Sequence, residues 1–167
     1  GTDDYIMEEI ERLSTGCGKL PVEQVLLTHN HFDHAASAEL FSQKYGARVH
    51  AWVPGPGVDA LLKDGQLLKA GDDYLEVLHT PGHSSDSVSF YCQSQQALFC
   101  GDTQLRVRTT GGKYTLEYVE TLVKLSQRKI EHAYPGHDEP FDHDVRSIIV
   151  NTLRSEERRV GKECRSR

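Results

Sequence analysis

The segment that most constrains this chain is Thr-His-Asn-His-Phe-Asp-His at positions 28–34. It follows directly on the apolar run Val22–Leu27, which predicts a buried strand, and it opens a predicted helix over His34–Tyr45. The fold must therefore bring three imidazoles and one carboxylate to a single strand-to-helix turn. Solvated loop histidines are the alternative, but this density of ligand-type side chains favours a metal site.

The spacing within this segment predicts how the ligands divide. Side chains two positions apart in an extended segment point the same way, so His29 and His31 can hold one metal ion together. Asp33 and His34 lie past the turn and can face a second ion. Imidazole and carboxylate groups suit Zn²⁺, and also Fe and Mn.

Three further ligand-type residues each follow a predicted strand. They are His83 after Tyr74–His79, Asp102 after Ala97–Cys100, and His137 after His132–Tyr134. The carboxyl ends of strands are where α/β folds gather functional groups. A lone histidine after Pro-Gly is more often a turn residue, but together these three supply the ligands that a two-metal site still lacks.

The rest of the chain predicts an α/β domain with a mixed sheet, because strands and helices alternate and a hairpin follows. A first helix is predicted from Thr2 to near Gly16. The remaining predicted elements are strands over Arg48–Val53, Gln66–Leu68 and Ser87–Cys92, a short helix through Leu62, a helix containing Leu116–Val123 and a last helix over Asp144–Leu153.

Composition excludes several classes of protein. The chain has 19 Lys+Arg against 25 Asp+Glu, a net charge of −6 that argues against a nucleic-acid surface. Its apolar runs are too short for a membrane span, and the oligomeric state stays open. The cysteines form no C-x-x-C pair, which favours a reducing, cytoplasmic location. Four of the nine histidines match no ligand position: His50, His79, His132 and His143.

The order of these ligand residues resembles that of the metallo-β-lactamase-fold hydrolases, whose fold is an αβ/βα sandwich with the metals at one edge. The resemblance covers nearly all of residues 1–153. It implies two metal sites and one bridging ligand. The first site comprises His29, His31 and His83, the second comprises Asp33, His34 and His137, and Asp102 bridges them.

The resemblance also implies the chemistry. Two divalent ions held about 3.5–4 Å apart lower the pKa of a bridging water, so that a hydroxide is available as nucleophile at neutral pH. One ion polarises the substrate carbonyl and the other takes the charge of the leaving group. Asp33 is expected to orient the nucleophile and to handle its proton.

In this resemblance, an aspartate at position 102 points to the thioesterase, lactonase and phosphodiesterase branches. The segments Thr80–His83, Val88–Tyr91 and Leu98–Thr103 are similar to the glyoxalase II-like branch, whose members hydrolyse thioesters of glutathione. The expected function is therefore metal-dependent hydrolysis of a small ester-like bond, first of all a thioester, and the resemblance implies a small-molecule substrate as the partner. A lactonase, an iron-dependent enzyme like the persulfide dioxygenases and an inactive fragment are the alternatives. Three cations that follow Asp102 can bind an anionic substrate tail, although a solvated charged loop explains them equally well. They are Arg106, Arg108 and Lys113.

Both ends of the chain depart from the family pattern. Relatives begin with strands before the first helix, so residues 1–153 are expected to be a domain without its N-terminal strands, and a targeting segment is not visible. Residues 154–167 have no apolar periodicity and resemble the in-frame translation of a sequencing adapter. They are expected to be a non-native tail, with a genuine basic tail as the alternative.

Overall fold

The computed structural model describes residues 4–13, 22–106 and 115–163, and the chain divides into two compact units, Gly1–Leu62 and Lys63–Arg167. Each unit combines helices with one sheet, so the predicted α/β class is confirmed. The first unit contains α1 (Asp4–Leu13), β1 (Gln24–Leu26), α2 (Phe32–Ala35), α3 (Ala38–Tyr45), β2 (Arg48–Ala51) and β3 (Ala60–Leu61). The second contains β4 (Leu67–Ala70), β5 (Asp73–His79), β6 (Val88–Cys92), β7 (Ala97–Gly101), α4 (Leu116–Ser126), β8 (His132–Pro135) and α5 (Val145–Glu163).

The sheet of the first unit is parallel, in the order β1-β2-β3. Parallel neighbours need a crossover, and α2 and α3 supply it between β1 and β2. Leu27, Ala38, Val49 and Ala51 form the buried core of this unit. Because β1 packs in that core, the position of its carboxyl end is fixed, and so is the start of the histidine-rich segment that follows it.

Two predictions for this unit are wrong. The single helix over His34–Tyr45 is two helices, because Ser37 (φ −91°, ψ −4°) departs from helical geometry between α2 and α3. Serine competes with the helical backbone for hydrogen bonds, which weakens a helix at such a point. The short helix predicted through Leu62 is instead β3. The unpaired edge of β2 can form backbone hydrogen bonds with this segment, and Ala51 pairs with Leu61. The end of α3 at Gly46 is as predicted, with φ +67°.

The sheet of the second unit is mixed, as predicted, in the order β4-β5-β6-β7-β8. Strands β4 to β7 form an antiparallel meander, and β8 joins β7 in parallel. Since β6 runs against both β5 and β7, the strands β5, β7 and β8 all point the same way. Their carboxyl ends therefore meet at one edge of this sheet.

One buried cluster joins α4 and α5 to the sheet of the second unit. Leu78 and Leu98 come from the strands, Leu122 and Leu125 from α4, and Ile149 from α5, all at most 1% exposed. Helix α5 continues to Glu163, beyond its predicted end at Leu153. Arginine, glutamate and lysine dominate residues 154–163, and these residues favour helix without any apolar face.

The helices are too short or too polar to cross a bilayer. Within residues 4–13, 22–106 and 115–163, none of them combines the length and the apolar character that a membrane span requires.

Candidate metal centre

The first ligand cluster lies at the transition from β1 to α2. His31 is the N-cap residue of α2 with extended geometry (φ −64°, ψ 146°), so the chain is still extended from His29 to His31 and turns helical at Phe32. His29 is 2% exposed, whereas the Asp33 side chain is 56% exposed. One imidazole is thus fixed in the protein interior and the carboxylate faces outward.

The three imidazoles of this cluster converge. Nε2 of His29 lies 3.0 Å from Nδ1 of His31, and their rings meet edge to face at 76°. The His34 ring centroid is 4.2 Å from that of His29. His34 Nε2 is 3.8 Å from Asp33 Oδ2. The structure therefore brings together all four residues that the sequence predicts for this segment.

A hydroxyl contact orients the buried imidazole. Thr28 Oγ1 lies 3.2 Å from His29 Nδ1. When the ring proton is on Nδ1, that nitrogen donates to Thr28 and the Nε2 lone pair points toward His31. This is the arrangement by which a neighbouring group holds a metal-binding histidine in the correct tautomer.

The second cluster lies at the shared carboxyl edge of β5, β7 and β8. Here Asp102 Oδ2 lies 3.4 Å from His83 Nε2 and 3.6 Å from His137 Nε2. One carboxylate oxygen thus stands between two imidazole nitrogens. The side chain of Asp102 is 14% exposed and that of His137 is 59% exposed. The three residues predicted from the ends of separate strands come together in this unit.

Helix α4 holds the turn that presents His83. The Thr121 hydroxyl donates to the carbonyl of Pro81 at 2.7 Å. Gly82 has φ +141°, and a Cβ on it would lie 2.8 Å from Cβ of Tyr118 and 3.0 Å from its Cα. Only glycine allows both this backbone conformation and the close approach of α4. The Pro81-Gly82 turn therefore fixes the position of His83.

A cleft of about 740 Å³ opens beside the second cluster. Arg106 lines this cleft, and its guanidinium carbon lies 5.5 Å from the ring centroid of Phe141. The other two predicted substrate cations, Arg108 and Lys113, fall outside the described residues. Phe141 was not predicted from the sequence, because a single aromatic residue near His137 carries no pattern of its own.

The histidines that match no ligand position have other surroundings. His79 Nε2 lies 2.9 Å from the carbonyl oxygen of Ser85, so it ties the turn that follows β5. His50 is buried in β2, and this burial, together with the charge of Arg48, lowers the pKa of its imidazole. His79 thus has a hydrogen-bond partner, whereas both ring nitrogens of His50 are buried without one among the described residues.

Cys100 is a buried thiol two residues before Asp102. It is 1% exposed, and its burial raises the pKa of the thiol to about 12. The donor groups of the two clusters described above are imidazole nitrogens and carboxylate oxygens, and this donor set fits Zn²⁺, Fe or Mn.

Comparison with known proteins shows the family to which the chain belongs. The family model of the Metallo-beta-lactamase superfamily matches residues 1–51 and 51–137. An atrochrysone carboxyl ACP thioesterase of Aspergillus fumigatus is 35% identical over 124 residues, which is 71% of this chain and 39% of the relative. A hydroxyacylglutathione hydrolase of Francisella tularensis subsp. novicida is 33% identical over 128 residues, 72% of this chain and 51% of the relative. The chain thus spans about half or less of the length of these curated relatives.

Solved structures share the fold. A metallo-beta-lactamase family protein of Thermus thermophilus superimposes with a TM-score of 0.71 at 22% identity, covering 94% of this chain and 67% of that one. The family match spans most of the chain, and it includes every ligand candidate described above. The chain belongs to the metallo-beta-lactamase superfamily.

Proposed function

We propose that the two ligand clusters form a single binuclear metal centre in the native enzyme. The proposed ligands are His29, His31 and His83 for one ion, Asp33, His34 and His137 for the other, and Asp102 between them. Two things support this: the convergence of the ligand atoms within each cluster, and membership of the superfamily. Zn²⁺ is the ion we expect, with Fe or Mn as substitutes.

The proposed reaction is hydrolysis of a thioester. Water loses one proton as it adds to the thioester carbonyl, the carbon–sulfur bond breaks, and the thiolate leaves and takes up a proton. The products are a thiol and a carboxylic acid, which ionises to the carboxylate and releases one proton. Two bound divalent ions supply a hydroxide at neutral pH and a Lewis acid for the carbonyl. Asp33, whose carboxylate faces outward, orients the attacking oxygen and accepts its proton.

The observation that carries the proposal is the position of Asp102. Its Oδ2 atom lies within 3.6 Å of imidazole nitrogens from two different turns, as a ligand shared by two ions requires. The thioester is favoured over other esters because the curated relatives are a thioesterase and a hydroxyacylglutathione hydrolase. Both of those names describe cleavage of an acyl group from a thiol.

The cleft beside Asp102 is the proposed substrate site. Arg106 stands on its wall, and we expect it to bind an anionic part of the substrate, together with Arg108 and Lys113. The contact with Phe141 limits the freedom of the Arg106 guanidinium, so less entropy is lost when it binds an anion.

The experiment is metal analysis combined with a substrate screen on the full chain. Protein loaded with Zn²⁺, Fe²⁺ or Mn²⁺ is assayed against glutathione and acyl-carrier thioesters, lactones and a persulfide, with an oxygen electrode for the last. We expect two ions per chain, thioester hydrolysis and no oxygen consumption. One ion per chain with oxygen uptake would overturn the proposal in favour of an oxygenase.

The matched variants are Asp102→Asn and His143→Ala. The asparagine keeps the shape of residue 102 but removes the charge that two ions would share, so metal content is expected to fall to one ion or fewer. His143 is exposed and lies outside the proposed ligand set, so its loss is expected to leave two ions bound. Equal metal content in both variants would contradict a shared Asp102.

A further inference from the structure

A buried row of three hydroxyls in the second unit connects the turns that carry His83 and Asp102. Thr80 and Ser89 are 0% exposed, and Thr103 is 4% exposed. Thr80 precedes the Pro-Gly-His turn, and Thr103 follows Asp102 directly. The ligand assignments of the proposed function do not use any of these three hydroxyls.

The distances define a chain of hydrogen bonds. Thr103 Oγ1 lies 3.3 Å from Thr80 Oγ1 and 3.5 Å from the Thr80 carbonyl oxygen. Thr80 Oγ1 lies 2.9 Å from Ser89 Oγ. A hydroxyl has one proton to donate. If Thr103 donates to Thr80, then Thr80 can give its own proton to Ser89, and both side chains of the pair are held in one orientation.

Each turn is also fixed internally by its backbone. The Thr80 N–H donates to the carbonyl of Ser87 at 2.9 Å, and the Thr103 N–H donates to the carbonyl of Cys100 at 3.0 Å. Neither bond connects one turn with the other. The contact between the hydroxyls of Thr80 and Thr103 does connect the two turns. It lies within a few residues of His83 and Asp102 in the chain, whose Nε2 and Oδ2 atoms are 3.4 Å apart.

Core filling alone does not require these hydroxyls. Valine has nearly the same shape as threonine, and a buried hydroxyl is costly unless it is paired. We propose that Thr80 and Thr103 are positioning residues whose paired hydroxyls fix the separation of His83 and Asp102. The proposal rests on the proposed function insofar as that function makes His83 and Asp102 metal ligands.

The test uses Thr80→Val, Thr103→Val and the double variant, with Thr80→Ser as the conservative rescue. Tyr91→Phe is the matched control, because it also removes one buried hydroxyl, which donates to the Lys129 carbonyl at 2.7 Å. The readouts are metal affinity by chelator competition and the visible absorption spectrum of Co²⁺-loaded protein. A purely structural role would lower the unfolding midpoint without changing either readout.

We expect each valine variant to weaken metal affinity by about tenfold and to shift the Co²⁺ bands, because a misplaced ligand pair costs about one hydrogen bond. The double variant should bind metal about as weakly as Thr103→Val, which already removes both contacts of the Thr103 hydroxyl with Thr80. Thr80→Ser should return to within about twofold of wild type, as its hydroxyl is kept. Valine variants that bind metal as Tyr91→Phe does would overturn the proposal.

A second readout separates this proposal from the proposed function. Hydrogen exchange is measured on metal-free protein at the amides of Thr80 and Thr103. If the wild-type chain binds no metal, the proposed function fails, and exchange alone decides whether the turns are coupled. Faster exchange at Thr103 in Thr80→Val, by about tenfold over Tyr91→Phe, supports the coupling. Equal exchange in the two variants overturns it.

Discussion

Nε2 of His83 lies 3.4 Å from Oδ2 of Asp102, although the strands that precede these residues are not neighbours. Strand β6 lies between β5 and β7, so the two carrier strands are about 10 Å apart at the usual strand spacing. The turns must therefore lean toward each other across the start of β6. The geometry of the pair thus depends on the contacts that fix these turns as well as on the strands themselves.

Replacement of Asp33 by alanine tests its proposed roles in handling the proton and in binding the second ion. The carboxylate is 56% exposed, and in the proposed centre it belongs to the second ion only. We expect thioester turnover to fall by about 100-fold or more, as the loss of a general base commonly causes. At least one ion per chain should remain. Steady-state kinetics and metal analysis on the same preparation check both statements, and unchanged turnover would reject the role of Asp33.

Replacement of Arg106 by alanine tests substrate recognition. If its guanidinium binds an anionic part of the substrate, the variant should raise KM about tenfold or more for an anionic thioester, because a hydrogen bond to a charged group is worth about 1.5–3 kcal/mol. KM for a neutral thioester should stay nearly constant. If Arg106 serves only to cover Phe141, both substrates should be affected alike. Phe141→Leu provides the comparison, since it removes the ring under the guanidinium and keeps the charge.

The ion pair of Asp64 predicts a pH dependence of stability. Burial opposes the ionised form of Asp64, but the His79 N–H and the Lys124 ammonium, 2.7 and 3.2 Å from Oδ1, outweigh this and lower its pKa below the ordinary 3.8. The contribution of the ionised Asp64 to the free energy of unfolding is therefore complete above pH 3.8. It is lost as the pH falls through the pKa of Asp64 in the folded state, which is lower than 3.8.

The matched variants for this dependence are Asp64→Asn and Asp72→Asn. The Asp64 side chain is 51% exposed, so solvent screening keeps its contribution to the free energy of unfolding to about 0.5–1 kcal/mol. In urea unfolding between pH 3 and pH 7, the free energy of unfolding should fall less steeply with decreasing pH for Asp64→Asn than for wild type. The exposed Asp72→Asn should follow wild type. Parallel curves for all three proteins would contradict the prediction.

The sequence was sufficient to predict which residues form the two clusters. Short apolar runs in the sequence predict the strands, and each ligand-type residue follows one of these runs closely. The structure has a strand before each of four such residues: His29, His83, Asp102 and His137. Period-two geometry likewise predicted that His29 and His31 converge. These features depend on residues close together in the chain.

Features set by distant residues could not be predicted in the same way. The pair Ala60–Leu61 has no strong strand signal and forms β3 because β2 has an open edge. The contact of Thr80 with Thr103 joins positions that follow two different strands, and nothing in the local sequence around either residue indicates it. The continuation of α5 past Leu153 is by contrast a local feature, and the prediction missed it because it depended on an apolar face, whereas residues 154–163 have only helix propensity.

Glycine at position 82 provides the most direct test of how the turn before His83 is built. An alanine there would place its Cβ 2.8 Å from Cβ of Tyr118, in a backbone conformation with φ +141°. Gly71 is the matched control, because its φ is +63° and a Cβ would meet nothing within 4 Å. We expect Gly71→Ala to lower the free energy of unfolding by about 1 kcal/mol, from backbone strain alone. Gly82→Ala should cost about 3 kcal/mol or more, because the clash with α4 adds to that strain.

Urea unfolding of the metal-free protein measures both variants, and chelator competition then measures the metal affinity of each. Gly82→Ala should also weaken metal binding, since the turn cannot shift away from α4 without moving His83, whereas Gly71→Ala should bind metal as wild type does. The Thr121 hydroxyl holds the same turn through the Pro81 carbonyl, so displacement of the turn would also break that bond. Similar losses of stability in the two alanine variants would show that α4 yields at Tyr118 and does not fix the turn.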